Sequence, residues 1–219
     1  MQKGFFIAGT DTEIGKTFTA CALLHAASRA GYTALAMKPI AAGVEADGEN
    51  EDVRRLMANA SVAAPRDWVN PYLYDPPIAP HVAAQEAGRP IELPVILDAY
   101  AKLQPLAEVV IVEGVGGFRV PLGDTIEAAD LAVQLGLPVI LAVGVKLGCI
   151  SHALLTAEAI RARGLTLGGW VANCVDPAMA RREENITALE TRLNAPRLGT
   201  LPFQEQLNPA EAGALLRLP

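Results

Sequence analysis

Nine residues constrain the fold of this 219-residue chain more than any other stretch: Gly9-Thr10-Asp11-Thr12-Glu13-Ile14-Gly15-Lys16-Thr17. They follow a short apolar run, Phe5-Phe6-Ile7-Ala8, and precede Phe18 to Leu24, which reads as a helix. Strand, glycine-bounded loop, then Gly-Lys-Thr opening a helix is the setting of a phosphate-binding loop. The first helical turn carries unpaired N–H groups and the positive end of the dipole, so it attracts phosphate. Gly15 lets backbone approach a ligand closely, Lys16 adds a charge for the β- and γ-phosphates, and the Thr17 hydroxyl can sit on Mg2+. The common spacing puts four residues between the two glycines. Here Thr10 holds the first glycine's place and Gly9 lies one residue earlier, so the loop is a variant. A strand–turn–helix joint with a chance Gly-Lys-Thr is the plainer reading, and the matching pattern on both flanks argues against it.

Hydrophobic residues make up 51% of the chain and charged residues 19%, enough for one large core, and residues 1–219 read as a single domain. Net charge is −6 with no basic block, and aromatics are 5%, which argues against a nucleic-acid surface or a base-stacking platform. Cys21, Cys149 and Cys174 stand in apolar surroundings at no metal-like spacing and read as buried thiols of a reducing compartment. No signal peptide is legible near Lys3, and the longest apolar run, Leu137 to Val145, is too short for a bilayer. The expectation is a soluble cytoplasmic protein.

Helices are expected over Lys16–Ala30 (closed by Gly31), Glu51–Ala60, His81–Ala87, Leu93–Leu106, Ala128–Leu135, Ile150–Arg163, Ala178–Leu193 and from Pro209. Strands are expected over Tyr32–Lys38, Glu108–Val112, Leu137–Gly144, Leu167–Asn173 and near Arg197–Gly199. Ala41–Asp52 reads as a loop, and Pro65–Pro80, with five prolines, as an irregular excursion over the surface. Near-continuous apolar strands alternating with helices predict an α/β fold: one doubly wound, mostly parallel sheet with helices on both faces, P-loop NTPase-like. Ligands of such folds sit at the carboxyl ends of the strands, where Gly9, Lys38, Glu113, Gly144 and Asn173 all fall.

Several of these residues suit phosphoryl chemistry. Lys38 can steady a γ-phosphate and the charge that develops on it, although a lysine beside a proline is commonly just a surface residue. Glu113, before Gly114-Val115-Gly116-Gly117, is placed to hold Mg2+; the plainer alternative is a tight turn. Asp52 reads equally as an acidic helix start or as a second Mg2+ ligand. Val145 to Ser151 leaves a strand and enters a helix, where free N–H groups beside Lys146 would form a second anion site. His152, at that helix start, reads as structural.

Taken together, the Gly9–Thr17 loop, Lys38-Pro39, Val112–Gly117, Val143–Cys149 and Gly169–Asn173 resemble the dethiobiotin synthetase family, in order and over nearly the whole chain. The resemblance implies ATP-dependent ring closure of 7,8-diaminononanoate with CO2 in biotin synthesis, by a Mg2+-using cytoplasmic homodimer with its substrate at the interface. Carried over by position, Thr17, Asp52 and Glu113 would hold Mg2+. Glu13, Ile14, Gly15, Lys16, Thr17 and Phe18 would wrap the ATP phosphates, with Gly114, Val115 and Gly116 nearby. Lys16 and Lys38 would serve the γ-phosphate and the carbamate. Asn173, Cys174, Pro202, Phe203 and Gln204 would hold the nucleotide base. Ala42, Lys38, Lys146 and, from the neighbouring subunit, Gly148, Cys149, Ile150 and Ser151 would take the diamine substrate. Three positions depart from the family's usual residues. Ala42 stands where Ser or Thr is usual, Ser151 where some relatives have Asn, and Asn185 where some have Tyr. All three concern the diamine pocket, not the nucleotide chemistry.

Two other classes share the expected fold. Partition-type nucleotide switches usually carry a lysine at the place of Asp11, and cobyrinate-type amidoligases need a glutaminase whose cysteine motif is not legible here.

Overall fold

The computed structural model describes residues 3–203 and 208–219. Its centre is a six-stranded sheet in the order β2-β5-β1-β6-β7-β8, every pair parallel. The strands are β1 (Lys3–Gly9), β2 (Ala34–Met37), β5 (Val109–Glu113), β6 (Val139–Gly144), β7 (Leu167–Asn173) and β8 (Arg197–Leu201). Between β2 and β5 run β3 (Ile40–Ala42), α2 (Glu51–Asn59), α3 (Arg66–Val69), β4 (Tyr72–Tyr74), α4 (Pro80–Glu86) and α5 (Leu93–Leu103). The remaining helices are α1 (Lys16–Arg29), α6 (Ala128–Leu135), α7 (Cys149–Ala162), α8 (Arg182–Arg192) and α9 (Pro209–Gly213).

Strands buried on both faces have no polar side to advertise, which is why they read as unbroken apolar runs. Their alternate residues feed two separate cores. Phe6, Leu141, Val143, Trp170 and Ala172 join the core under α5, α6, α7 and α8. Phe5, Ile7, Ile140, Ala142 and Val171 join the core under α1 and α9. Helix α1 is sunk so deep that Ala20, Ala22, Leu23, Leu24 and Ala27 are all essentially unexposed. The phosphate-loop helix is thereby fixed against the middle of the sheet.

The proline-rich segment corrects the expectation of a surface excursion. Ile40, Ala41 and Ala42 pair in parallel with Tyr72, Leu73 and Tyr74 as a second, two-stranded sheet, and both tyrosines are buried. Proline removes donors and breaks pattern, so strands this short are not legible from periodicity. The segment nevertheless clamps the backbone around Lys38. The Lys38 N–H donates to Val69 O at 2.9 Å, and Asn70 Nδ2 donates to Lys38 O at 2.6 Å and to Tyr72 O at 3.0 Å.

The sheet's far edge is packed as tightly. A Cβ on Gly199 would lie 2.2 Å from the Leu215 carbonyl oxygen, and backbone cannot step aside cheaply. Gly199→Ala is expected to cost about 2 kcal/mol of stability by overpacking. Urea unfolding with a lower midpoint and an unchanged slope is the expected result; an unchanged midpoint contradicts it.

Candidate active site

The loop between β1 and α1 is bent by two left-handed residues, Glu13 (φ 56) and Gly15 (φ 77). Glycine takes such angles freely; a glutamate in the same region stores strain, a common mark of ligand loops. The early glycine has a steric reason. A Cβ on Gly9 would lie 2.7 Å from Lys16 Cδ and 2.9 Å from Lys16 Nζ, because that side chain folds back over the strand end to donate to Asp11 O at 2.7 Å. Position 10 carries no such demand, and Thr10 Oγ1 instead accepts from the Gly144 N–H at 3.4 Å. Asn173, at the tip of β7, donates from Nδ2 to Ile14 O at 2.7 Å and braces the loop from the side.

Four strand and helix ends then converge. Thr17 Oγ1 donates to Glu113 Oε1 at 2.8 Å. The Lys38 ammonium sits between two carboxylates, 2.9 Å from Asp52 Oδ2 and in a short contact with Glu113 Oε1. Asp52 is aimed here because Asn50 caps α2, accepting from the Val53 N–H at 3.2 Å while its own Nδ2 donates to Gly43 O at 2.8 Å.

Lys16, Thr17, Lys38 and Glu113 are buried, so their charges act through little water. Burial, reinforced by the charge on Lys38, pushes the Lys16 ammonium down to about 8. Burial also works against the charge on Lys38, but Glu113 and Asp52 more than offset it and hold this lysine above its ordinary value. For Asp52, burial favours the neutral acid, and Lys38 and Thr17 outweigh it and keep the carboxyl below its usual range. Lys16 is thus a buried cation short of counter-charge, the condition a phosphate relieves.

Glu113 Oε2 is buried and has no hydrogen-bond partner among the described residues. A buried carboxylate oxygen left open, beside the Thr17 hydroxyl and the Asp52 carboxylate, is a hard-oxygen donor set that fits Mg2+.

These groups line a cleft of about 820 Å3, together with Glu13, Gly15, Phe18, Ala42, Val115 and Gly116. A second cleft of about 660 Å3 is walled by Asn173, Cys174, Pro202 and Phe203, and shares Glu13, Gly15 and Phe18 with the first. One ligand can therefore run from the end that holds Lys16 and Lys38 to an end walled by Cys174, Pro202 and Phe203. Gln204 lies outside the described residues.

Not every expected residue faces the clefts. The Ile14 side chain is buried, and its carbonyl takes the Asn173 amide. Gly114 gives its N–H to Ile7 O at 3.0 Å and packs against the Phe6 ring, so it shapes the turn. Lys146, Gly148, Cys149, Ile150 and Ser151 line neither cleft. They open α7 on the other side of Asp11, whose Oδ2 lies 3.2 Å from Lys146 Nζ. The expectation of free amides over Val145 to Ser151 needs correction at two points: the Val145 N–H donates to Asn173 O at 2.7 Å and the Cys149 N–H to Lys146 O at 3.0 Å.

The clefts also contain Thr12, Arg55 and Pro77 to Pro80, none of which the sequence singled out as site residues. The signal for Arg55 was present: it stands three residues after Asp52 on a helix, hence on the same face. No comparable signal marks the prolines, which reach the cleft through the β3–β4 pairing.

A parallel sheet with a glycine-lysine-threonine loop on its central strand, ringed by a second lysine and two carboxylates, defines a P-loop nucleotide-binding protein. The AAA domain family matches residues 3–211. Among solved structures, MinD of Pyrococcus horikoshii with Mg-ADP superposes with a TM-score of 0.57 at 15% identity, covering 97% of this chain and 86% of that one. A ParA family ATPase from Chlorobium tepidum gives 0.56 at 13% identity, covering 96% and 90%. These likenesses carry the fold alone. Closer in sequence, the ATP-dependent dethiobiotin synthetase BioD of Aromatoleum aromaticum is 59% identical over 99% of this chain and 98% of its own length. The proteins of the same name from Nitrosospira multiformis and Ralstonia nicotianae are 50% and 53% identical, over 99% and 90% of this chain and 95% and 87% of their own lengths. The chain belongs to the ATP-dependent dethiobiotin synthetase family.

Proposed function

We propose that this protein closes the cyclic urea of dethiobiotin from 7,8-diaminononanoate, CO2 and ATP. The observation that carries the reading is Lys38, held between Asp52 and Glu113 at the edge of the phosphate cleft. One amine of the substrate adds to CO2 and loses a proton, giving a carbamate. A carbamate oxygen attacks the γ-phosphorus, the bond to the β-phosphate oxygen breaks, and ADP leaves. The second amine attacks the carbamoyl carbon of the resulting mixed anhydride, inorganic phosphate departs, and the ring is closed. The nucleophile and the phosphate are both anions, so the chain must supply cations between them. Lys16 and the N-terminal amides of α1 take the β- and γ-phosphates. Lys38 bridges carbamate and γ-phosphate. Thr17, Asp52 and Glu113 would hold Mg2+, which would supply charge neutralisation to the triphosphate. Phe18, Asn173, Cys174, Pro202 and Phe203 receive the base. Glu13 and the Val115-Gly116 turn close over the nucleotide.

The diamine's carboxylate is assigned to the α7 start of a second copy, with Ile150, Ser151 and Lys146 around it and Ala42 beside the chain of the substrate. Two apolar side chains support a homodimer through this face: Leu147 is 89% and Leu155 63% exposed. Among the described residues no helix is long and apolar enough to cross a membrane, in keeping with a cytoplasmic enzyme.

Incubation with diaminononanoate, bicarbonate, Mg2+ and ATP is expected to give ADP and the cyclic urea, read by mass, with ADP release dependent on the diamine. ATP hydrolysis indifferent to diamine and bicarbonate would point to a nucleotide switch instead. Light scattering is expected to give a dimer, and Leu147→Asp a monomer that has lost turnover. A monomeric wild type with full activity contradicts the interface assignment.

A further inference from the structure

Helix α2 presents more than Asp52 to the clefts. Asp52, Arg55 and Asn59 stand three and seven residues apart, one stripe along the helix. Asp52 lines the phosphate cleft, Asn59 lines the second cleft, and Arg55 lines both. Asn59 is held in place by its own hydrogen bond, its Oδ1 accepting from His25 Nε2 at 2.8 Å. Among the described residues, Arg55 is held by the type of pair that exchanges easily. Its NH2 donates to Glu51 Oε1 at 2.5 Å, one turn back, with the two side chains 57% and 54% exposed. A guanidinium has five donors in a rigid fork, and this pairing leaves most of that fork available.

We infer that Arg55 grips the nucleotide at its α-phosphate, giving up Glu51 for phosphate oxygens when the ligand arrives. The inference rests on the nucleotide reading above. With β- and γ-phosphates at Lys16 and Thr17 and the base beside Phe203, the α-phosphate and ribose must cross the junction that Arg55 lines. Of those two groups only the phosphate is an anion, and a guanidinium pairs with it in two-pronged geometry. The stripe then reads along the ligand: a carboxylate for the metal end, a cation for the middle, an amide for the base.

The test is calorimetric binding of ADP, AMP and adenosine to wild type, Arg55→Gln, Arg55→Lys and Glu51→Gln. Arg55→Gln is expected to weaken ADP and AMP about tenfold, the worth of one charge-assisted pairing with phosphate, and adenosine less than about twofold. KM for ATP should rise by a similar factor, and Arg55→Lys should recover part of the loss. Glu51→Gln removes the same surface pair but frees the arginine, so ADP should bind as well or more tightly. Unchanged ADP affinity in Arg55→Gln, an equal loss for adenosine, or a tenfold ADP loss in Glu51→Gln would each overturn the assignment. A wild type that binds no ADP would instead sink the nucleotide reading beneath it.

Discussion

Replacing Lys38 with Gln is expected to lower ring-closing turnover by about 100- to 1,000-fold, the size of losing one charged donor aimed at developing charge in a dry site. Binding of ADP should stay within about threefold of wild type, because the phosphate loop and α1 do not depend on this side chain. The variant should also behave distinctively without ligand. Lys38 neutralises two carboxylates, one of them fully buried, so its loss leaves Glu113 without its cation. Removing one member of a buried pair typically costs about 3–5 kcal/mol. Mg2+ with ADP should restore more melting temperature to Lys38→Gln than to wild type, since a metal in the same carboxylates replaces the lost charge. Wild-type turnover in this variant would falsify the role assigned to Lys38; a melting temperature indifferent to Mg2+ would remove Asp52 and Glu113 as metal ligands.

Lys16→Met is expected to abolish turnover and weaken ATP binding by about 100-fold, near 3 kcal/mol, as expected for losing hydrogen bonds to charged oxygens. Its stability should move the other way. The folded protein pushes the Lys16 ammonium from its ordinary 10.5 down to about 8, so at neutral pH the folded state holds this charge less readily than the unfolded chain does. A methionine fills similar space without the charge, so the ligand-free variant should melt higher than wild type. Stability given up for a poised cation is a common trade at catalytic sites. Melting curves with and without ADP check both halves. A variant that melts lower than wild type, or that ADP still stabilises fully, contradicts the account.

The sequence carried much of this. The doubly wound sheet was legible because strands covered on both faces read as unbroken apolar runs, as Val109–Val112 and Val139–Gly144 do. The candidate site was legible where residue type and position coincide: Lys16 and Thr17 at a helix start and Glu113 at a strand tip line one cleft. What escaped was set by tertiary pairing. The three-residue strand at Ile40–Ala42 exists because Tyr72–Tyr74 lies beside it, and nothing local announces that. The same pairing delivers Pro77 to Pro80 into the phosphate cleft. Gly114 entered the expected nucleotide set through the family resemblance; in the structure its amide is bonded to Ile7 O. Arg55 escaped although it shares a helix face with Asp52, because arginine on a helix beside acids is ordinary surface composition; in the structure it lines both clefts.

The clamp around Lys38 bears on what sets the enzyme's pace. Main-chain atoms of this residue are tied on both sides, to Val69 and to Asn70. Its positive end can therefore leave the carboxylates for an incoming anion only by turning about its own side-chain bonds. That turn asks nothing of the backbone at Lys38, whereas flap and segment motions occupy microseconds to milliseconds in many enzymes. On the role proposed for Lys38, the slow step is therefore expected in bond exchange at phosphorus, in closure of the ring or in departure of ADP, rather than in moving this charge.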